Sequence, residues 1–296
     1  LATHHALPPE SIVIGEGIDG LLGYTNRLFV QSGDRVVTSV GAYPTFAYHV
    51  AGCGGILATV PFRDDQEDPD ALAAAAAKHR PKLVYVSNPD NPMGSWHGAD
   101  RIQTLVEAMP RGTLLCLDEA YIEFAPEGTA PPFDPDDRRV IRFRTFSKAY
   151  GLAGLRIAYA VAHPETASAF DRIRNHFGVS RIAQEAAIAS LGDSGHIDRV
   201  RALAAEAIER IGEIARANGL TPLPSAANFV AIDCGRDGDF ARAVLSGLIA
   251  RGVFVRMPGV APMDRCIRVS AGAAEDLAQF ATALPEALGE AAGQKA

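Results

Sequence analysis

Short apolar runs alternate with stretches of helical spacing through the first half of the chain. "SIVIG" (11–15), "DRVVTSV" (34–40), "ILATVPF" (56–62), "KLVYVS" (82–87), "TLLCLDEA" (113–120), "RVIRFRTF" (139–146) and "RIAYAVA" (156–162) are rich in β-branched and other apolar residues and read as strands. Between them, "DGLLGYTNRLFV" (19–30), "DPDALAAAAAKHR" (68–80) and "IQTLVEAM" (102–109) read as helices. The second opens on an acidic, proline-containing turn and continues in alanine, the strongest helix former. "KLVYVS" is apolar almost throughout, as strands buried on both faces are. This alternation predicts an α/β fold: right-handed crossovers and a mainly parallel sheet with helices on both faces.

The pattern changes after about residue 170. Val200, Leu203, Ala207, Ile208, Ile211 and Ile214 recur at helical spacing, and Asn218-Gly219 supplies a C-cap. The runs "NFVAIDC", "VFVRM" and "CIRVSAG" then alternate with a helix, "FARAVLSGLIARG", and a last helix from about Glu275. The expected organisation is a large domain over 1–175 and a small C-terminal α+β domain over 176–296, attached by the long helix. The tail "GEAAGQKA" is expected to fray. The chain opens on Leu1 and enters structure at once, so a further segment is expected ahead of it.

Apolar residues make up 48% of the 296 and charged residues 21%, the balance of a soluble globular protein. A net charge of −7 argues against nucleic acid or an anionic membrane as the main partner. No apolar run approaches the roughly 20 residues that span a bilayer. Cys53, Cys116, Cys234 and Cys266 are scattered without a CxxC pair and read as reduced structural thiols of a cytoplasmic protein. The histidines show no metal-ligand spacing, so no metal site is expected.

Candidate chemistry gathers where strands end. "GEGIDG" (15–20) lies between a strand and a helix and fits the dinucleotide fingerprint. That fingerprint also requires an acidic residue at the end of the second strand, and here the strand ends "TSVGAYP". A glycine turn opening a helix still binds anions, since free N–H groups and the helix dipole face the ligand. "SNPDNPMG" (87–94) is a proline-shaped loop after a buried strand, placed where open α/β sheets bind ligands; Asn91 could equally be a local turn residue. Asp118 directly follows "LLCL", and a carboxylate at a buried strand end needs a cationic or N–H partner.

"RTFSKAYGLAGLR" (144–156) sets Lys148 among small and apolar residues, just beyond a strand end. A partly buried lysine becomes an amine nucleophile, the chemistry of Schiff bases. Thr145 and Ser147 offer hydroxyls, and Arg156 offers a guanidinium suited to phosphate. A cofactor using all of these carries an aldehyde, a phosphate and a ring nitrogen for Asp118. Pyridoxal 5′-phosphate has all three.

With these motifs in order ("GEGIDGLLG", "YPTFAYH", "NPDNPMG", "DEAYIEF", "TFSKAYGLAGLRIAY" and "CIRVSAG"), nearly the whole chain resembles the fold-type-I pyridoxal-phosphate aminotransferases, most of all the histidinol-phosphate aminotransferase group. The resemblance implies that Lys148 forms the Schiff base and moves the proton at the substrate's α-carbon. It implies that Asp118 pairs with the pyridine N–H, and that Asn91 and Tyr121 hydrogen-bond the ring's 3-oxygen. Phe46 would stack on the ring. The backbone of Gly17, Ile18 and Asp19 would hold the phosphate with Thr145, Ser147 and Arg156. Arg268 would clamp a substrate anion, with Arg256 as a weaker rival. An amino donor, a 2-oxo acid and a homodimer with shared sites are likewise implied. The chain departs from the family at Ile18 and Gly20 in the phosphate turn and at Met93, where threonine is usual. A family tyrosine and lid that precede these motifs are not found in it. A decarboxylase or β-lyase of the same fold would share every cofactor residue, and a dinucleotide oxidoreductase or a non-catalytic effector-binding relative stand as outside readings.

Overall fold

The computed structural model describes residues 1–193 and 195–293. Among these, β1 (Ile12–Gly15), β2 (Arg35–Ser39), β3 (Ile56–Val60), β4 (Leu83–Ser87), β5 (Leu114–Asp118), β6 (Val140–Thr145) and β7 (Ala158–Val161) form one sheet, in the order β1-β7-β6-β5-β4-β2-β3. Strands β3, β2, β4, β5 and β6 run parallel, and β7 is antiparallel to both β6 and β1. The mainly parallel sheet predicted from the alternating pattern is therefore present, with β7 reversed within it.

The helices of this half are α1 (Ala2–His5), α2 (Gly17–Phe29), α3 (Pro44–Gly52), α4 (Pro69–His79), α5 (Ala99–Glu107), α6 (Pro164–Phe170) and α7 (Arg181–Gly192). Side chains alternate across a strand, so β4 feeds two cores. Leu83 and Tyr85, with Cys116 and Phe143, pack against Leu21 and Leu22 of α2 and Phe46 and Val50 of α3. Val84 and Val86, with Leu115 and Leu117, pack against Leu72 of α4 and Ile102 and Leu105 of α5. Complete burial of a leucine such as Leu22 contributes about 1.5–3 kcal/mol. The proline-containing start of α4 works as its chemistry predicts. Asp68 caps it by accepting from the N–H groups of Asp70 and Ala71, with Pro69 in the first turn.

Helix α7 joins the large half: Ala183 and Ala187 pack with Phe146, Ile157 and Tyr159. The long helix α8 (His196–Ala217) ends at Asn218, with Gly219 in the left-handed region at φ 74°. Then follow β8 (Thr221–Pro222), β9 (Phe229–Asp233), α9 (Gly238–Ala250), β10 (Cys266–Ser270) and α10 (Ala274–Gly293). The three strands make an antiparallel sheet ordered β10-β9-β8. Their own core includes Ile211 and Ile214 of α8, Val244 and Leu248 of α9, and Phe280 and Leu284 of α10.

Two expectations are corrected. "VFVRM" is not a strand of its own; it meets β10 through one bridge, Arg256 opposite Arg268, and Phe254 beside it is exposed. The tail does not fray from residue 289, because Ala287 and Ala291 are buried against the small core and carry α10 to Gly293. Residues 294–296 lie outside the described residues. Among the described residues no helix is long and apolar enough to cross a membrane.

Candidate active site

Parallel pairing brings the carboxyl ends of β4, β5 and β6 to one edge. Ser87 lies opposite Asp118, and Asp118 opposite Phe143. A cavity opens over these ends. Ile18, Asp19, Asn91, Asp118, Tyr121, Thr145, Ser147, Lys148 and Arg156 line it, so residues far apart in sequence meet as the motif reading expected. Tyr43, Tyr85, Ser87 and Ala120 line it as well.

Asp118 shares its strand parity with Cys116 and so faces the side where Tyr85 lies. Tyr85 Oη donates to Asp118 Oδ2 at 2.8 Å, and the Ala120 N–H donates to Oδ1 at 3.0 Å. Burial pushes the Asp118 carboxyl up to about 6, while both hydrogen bonds and the Lys148 charge pull the other way. Lys148 holds Nζ 4.9 Å from the centroid of the Tyr121 ring. Its turn is fixed on both sides: the Ser147 N–H donates to Thr145 Oγ1 at 3.0 Å, and the Gly151 N–H to the Lys148 carbonyl at 3.0 Å.

Arg156 and the start of α2 form another part of the lining. Gly17 opens α2 at φ 84°, and a Cβ there would stand 2.3 Å from Arg156 Nη2. Only glycine lets the guanidinium lie directly on this turn. The N-cap Glu16 makes no side-chain cap bond, and the first N–H groups of a helix have no intrahelical partner, so the helix dipole favours an anion beside them. Asp19, whose carboxylate would oppose an anion, is paired to His49 Nε2 at 3.0 Å.

Arg268 and Arg256 do not line this cavity. Arg268 stands at its margin, where it donates to Asn91 Oδ1 and lies 4.8 Å from the centroid of Phe229. Among the described residues its Nε is buried without a hydrogen-bond partner, and burial holds its pKa below the usual range. Arg256 is exposed and touches Arg268 through the backbone bridge.

Phe46 is not on the cavity wall. It is fully buried and stacks on Tyr85, with centroids 4.4 Å apart and planes at 17°. Phe46 and Val50 are one helical turn apart on α3 and both enter the core. Tyr43, the N-cap of α3, reaches the cavity instead. Tyr43 and Tyr85 were missed as site residues; the available signal was the position of Tyr43 ahead of Pro44 and the parity of Tyr85 with Ser87. Glu119, next to Asp118, points the other way and is held by Arg142 at 2.6 Å and Arg144 at 2.9 Å. That buried group is structural.

The family model for aminotransferase class I and II matches residues 2–284. The chain belongs to this family. Histidinol-phosphate aminotransferase 2 of Ralstonia nicotianae is 35% identical over 292 residues, covering 96% of this chain and 77% of the relative. A histidinol-phosphate aminotransferase of Anaeromyxobacter is 34% identical over 297 residues, covering 98% and 80%. The crystal structure of histidinol-phosphate aminotransferase from Sinorhizobium meliloti in complex with pyridoxal-5′-phosphate is 54% identical, with a TM-score of 0.95 over 97% of this chain and 79% of that one. In this aminotransferase Lys148, Asp118, Arg156 and the start of α2 line one cavity.

Proposed function

We propose that this aminotransferase binds pyridoxal 5′-phosphate in the cavity and moves an amino group between histidinol phosphate, or an amino acid, and a 2-oxo acid. The observation that carries the reading is the convergence of Lys148, Asp118 and the Gly17–Arg156 turn on one cavity. The donor set fits the cofactor's three functional groups: an amine for an aldehyde, a buried carboxylate for a ring N–H, and a guanidinium with helix N–H groups for a phosphate. When bound, pyridoxal phosphate supplies an aldehyde that condenses with amines and a ring that accepts electron density from the substrate's α-carbon.

The chain's residues then divide the work. Lys148 Nζ would be the amine that holds the cofactor through its aldehyde, and it would move the proton at the substrate's α-carbon. Asp118, oriented by Tyr85, keeps a proton on the ring nitrogen. Asn91 and Tyr121 are assigned to the ring's 3-oxygen. The backbone of Gly17, Ile18 and Asp19, with Thr145, Ser147 and Arg156, is assigned to the phosphate. Arg268, whose buried Nε has no partner among the described residues, is assigned to the substrate's anion, a role that suits phosphate or carboxylate. Arg256 lies beside it as a secondary contact.

The names of the relatives favour histidinol phosphate as amino donor. A homodimer is supported by the groove between β1 and α7, where Ile14 and Ile188 stay exposed. Four free thiols support a cytoplasmic setting. The test is a visible absorption titration of the cofactor-loaded protein with histidinol phosphate and a panel of amino acids. Loss of the visible band with histidinol phosphate, and its return with a 2-oxo acid, is expected. Release of carbon dioxide from an amino acid, with the visible band retained and no 2-oxo acid formed, would assign a decarboxylase instead.

A further inference from the structure

Ser87 closes β4 and lines the cavity opposite Asp118, yet its hydroxyl does not donate into the cavity. It donates to Glu67 Oε1 at 3.0 Å, and the Ser87 N–H donates to the same oxygen at 2.9 Å. Glu67 Oε2 accepts from Ser39 Oγ, at the end of β2, at 2.5 Å. Glu67 is only 2% exposed. A carboxyl this deep is costly unless its oxygens are satisfied, and three donors satisfy it here. One side chain thus ties the ends of the neighbouring strands β2 and β4. The same segment is anchored again where His97 Nε2 meets the Glu67 carbonyl at 2.7 Å. Beyond Ser87 the chain enters the loop that carries Asn91.

We propose that Glu67 is a positioning residue of the active site and acts through Ser87. By taking both the N–H and the O–H of Ser87, it turns the hydroxyl hydrogen away from the cavity. Ser87 Oγ then presents only lone pairs to whatever binds there. It also fixes the point from which the Asn91 loop departs. The inference rests on the cavity being a pyridoxal-phosphate site, and it adds a residue that none of the roles above includes.

The test is equilibrium binding of pyridoxal phosphate to the apo forms of the wild type, Glu67→Ala, Glu67→Gln, Ser87→Ala and the double alanine variant, with absorption spectra and melting temperatures alongside. Each single alanine variant is expected to weaken binding about tenfold. The double variant is expected to bind no more weakly than the worse single, since both changes disable one unit. Glu67→Gln is expected to stay within about threefold, because its amide keeps an oxygen for Ser87 and turns its NH₂ toward Ser39. A Glu67→Ala variant that melts lower but binds as tightly as wild type overturns the inference, and so do losses that add in the double variant. If Glu67→Ala does not fold, Ser87→Ala decides: unchanged affinity there also overturns it. A wild type that binds no pyridoxal phosphate is a different failure, which removes the proposed function and this inference with it.

Discussion

Tyr85 donates its hydroxyl to Asp118 across 2.8 Å, from a neighbouring strand and on the same face of the sheet. The bond favours the carboxylate form of a group that burial drives toward neutrality. Tyr85→Phe should therefore raise the Asp118 pKa beyond about 6 and leave less carboxylate at neutral pH. Pyridoxal phosphate should bind about tenfold more weakly at pH 7 than to wild type. The deficit should shrink at pH 8.5, where the carboxylate returns. Binding titrations at the two pH values check this; equal affinity at pH 7 contradicts it.

Asp118 also separates stability from activity. Ionised and buried, it costs the apo protein free energy. A rise from 3.8 to about 6 corresponds to about 3 kcal/mol as an upper bound. Asp118→Asn removes that charge while keeping an oxygen for the Tyr85 hydroxyl. The variant should melt no lower than wild type at pH 8 and lose turnover by orders of magnitude. A large fall in melting temperature with turnover retained would reverse the assignment.

Stability should depend on pH in an unusual direction. Burial raises Glu67 from 4.5 to about 7, Glu123 from 4.5 to about 7, and Asp90 and Asp118 from 3.8 to about 6. Between the unfolded and folded values the native state holds protons that the unfolded chain has released. Stability therefore falls as pH rises through this window, until the folded carboxyls have also ionised. Glu119, which burial would raise but Arg142 and Arg144 hold low, acts oppositely: its contribution is lost as pH falls from the ordinary carboxylate range through its lowered pKa. The apo protein should melt higher at pH 5.5 than at pH 8, and Glu67→Gln should reduce the difference. A melting temperature that climbs steadily from pH 5.5 to 8 contradicts this.

Much of the architecture was legible because buried parallel strands are apolar without interruption, as in "KLVYVS", and because the capping chemistry at Asp68 and Asn218-Gly219 is local. Lys148, Asp118 and Asn91 stood out because each is polar and sits at or just beyond the end of an apolar run. Tyr85 did not, since a tyrosine inside such a run looks like core until strand register shows that its hydroxyl meets Asp118. Phe46 misled for the converse reason. Its motif suggested a ring-stacking residue, but helical periodicity carries it into the core with Val50 and leaves Tyr43 at the cavity. Glu67 lay in the charged stretch "RDDQED", where only tertiary packing distinguishes a buried carboxyl from its solvated neighbours.

The central claim is that Lys148 is the amine that holds the cofactor. The direct measurement is a visible absorption spectrum of the wild type and of Lys148→Ala, each incubated with pyridoxal phosphate, then reduced with borohydride and digested for mass spectrometry. The wild type should develop a visible band and carry the reduced cofactor on the peptide containing Lys148. The variant should carry none there and lose turnover by orders of magnitude. A cofactor fixed to another lysine, or a Lys148→Ala variant that turns over as fast as wild type, would contradict the account.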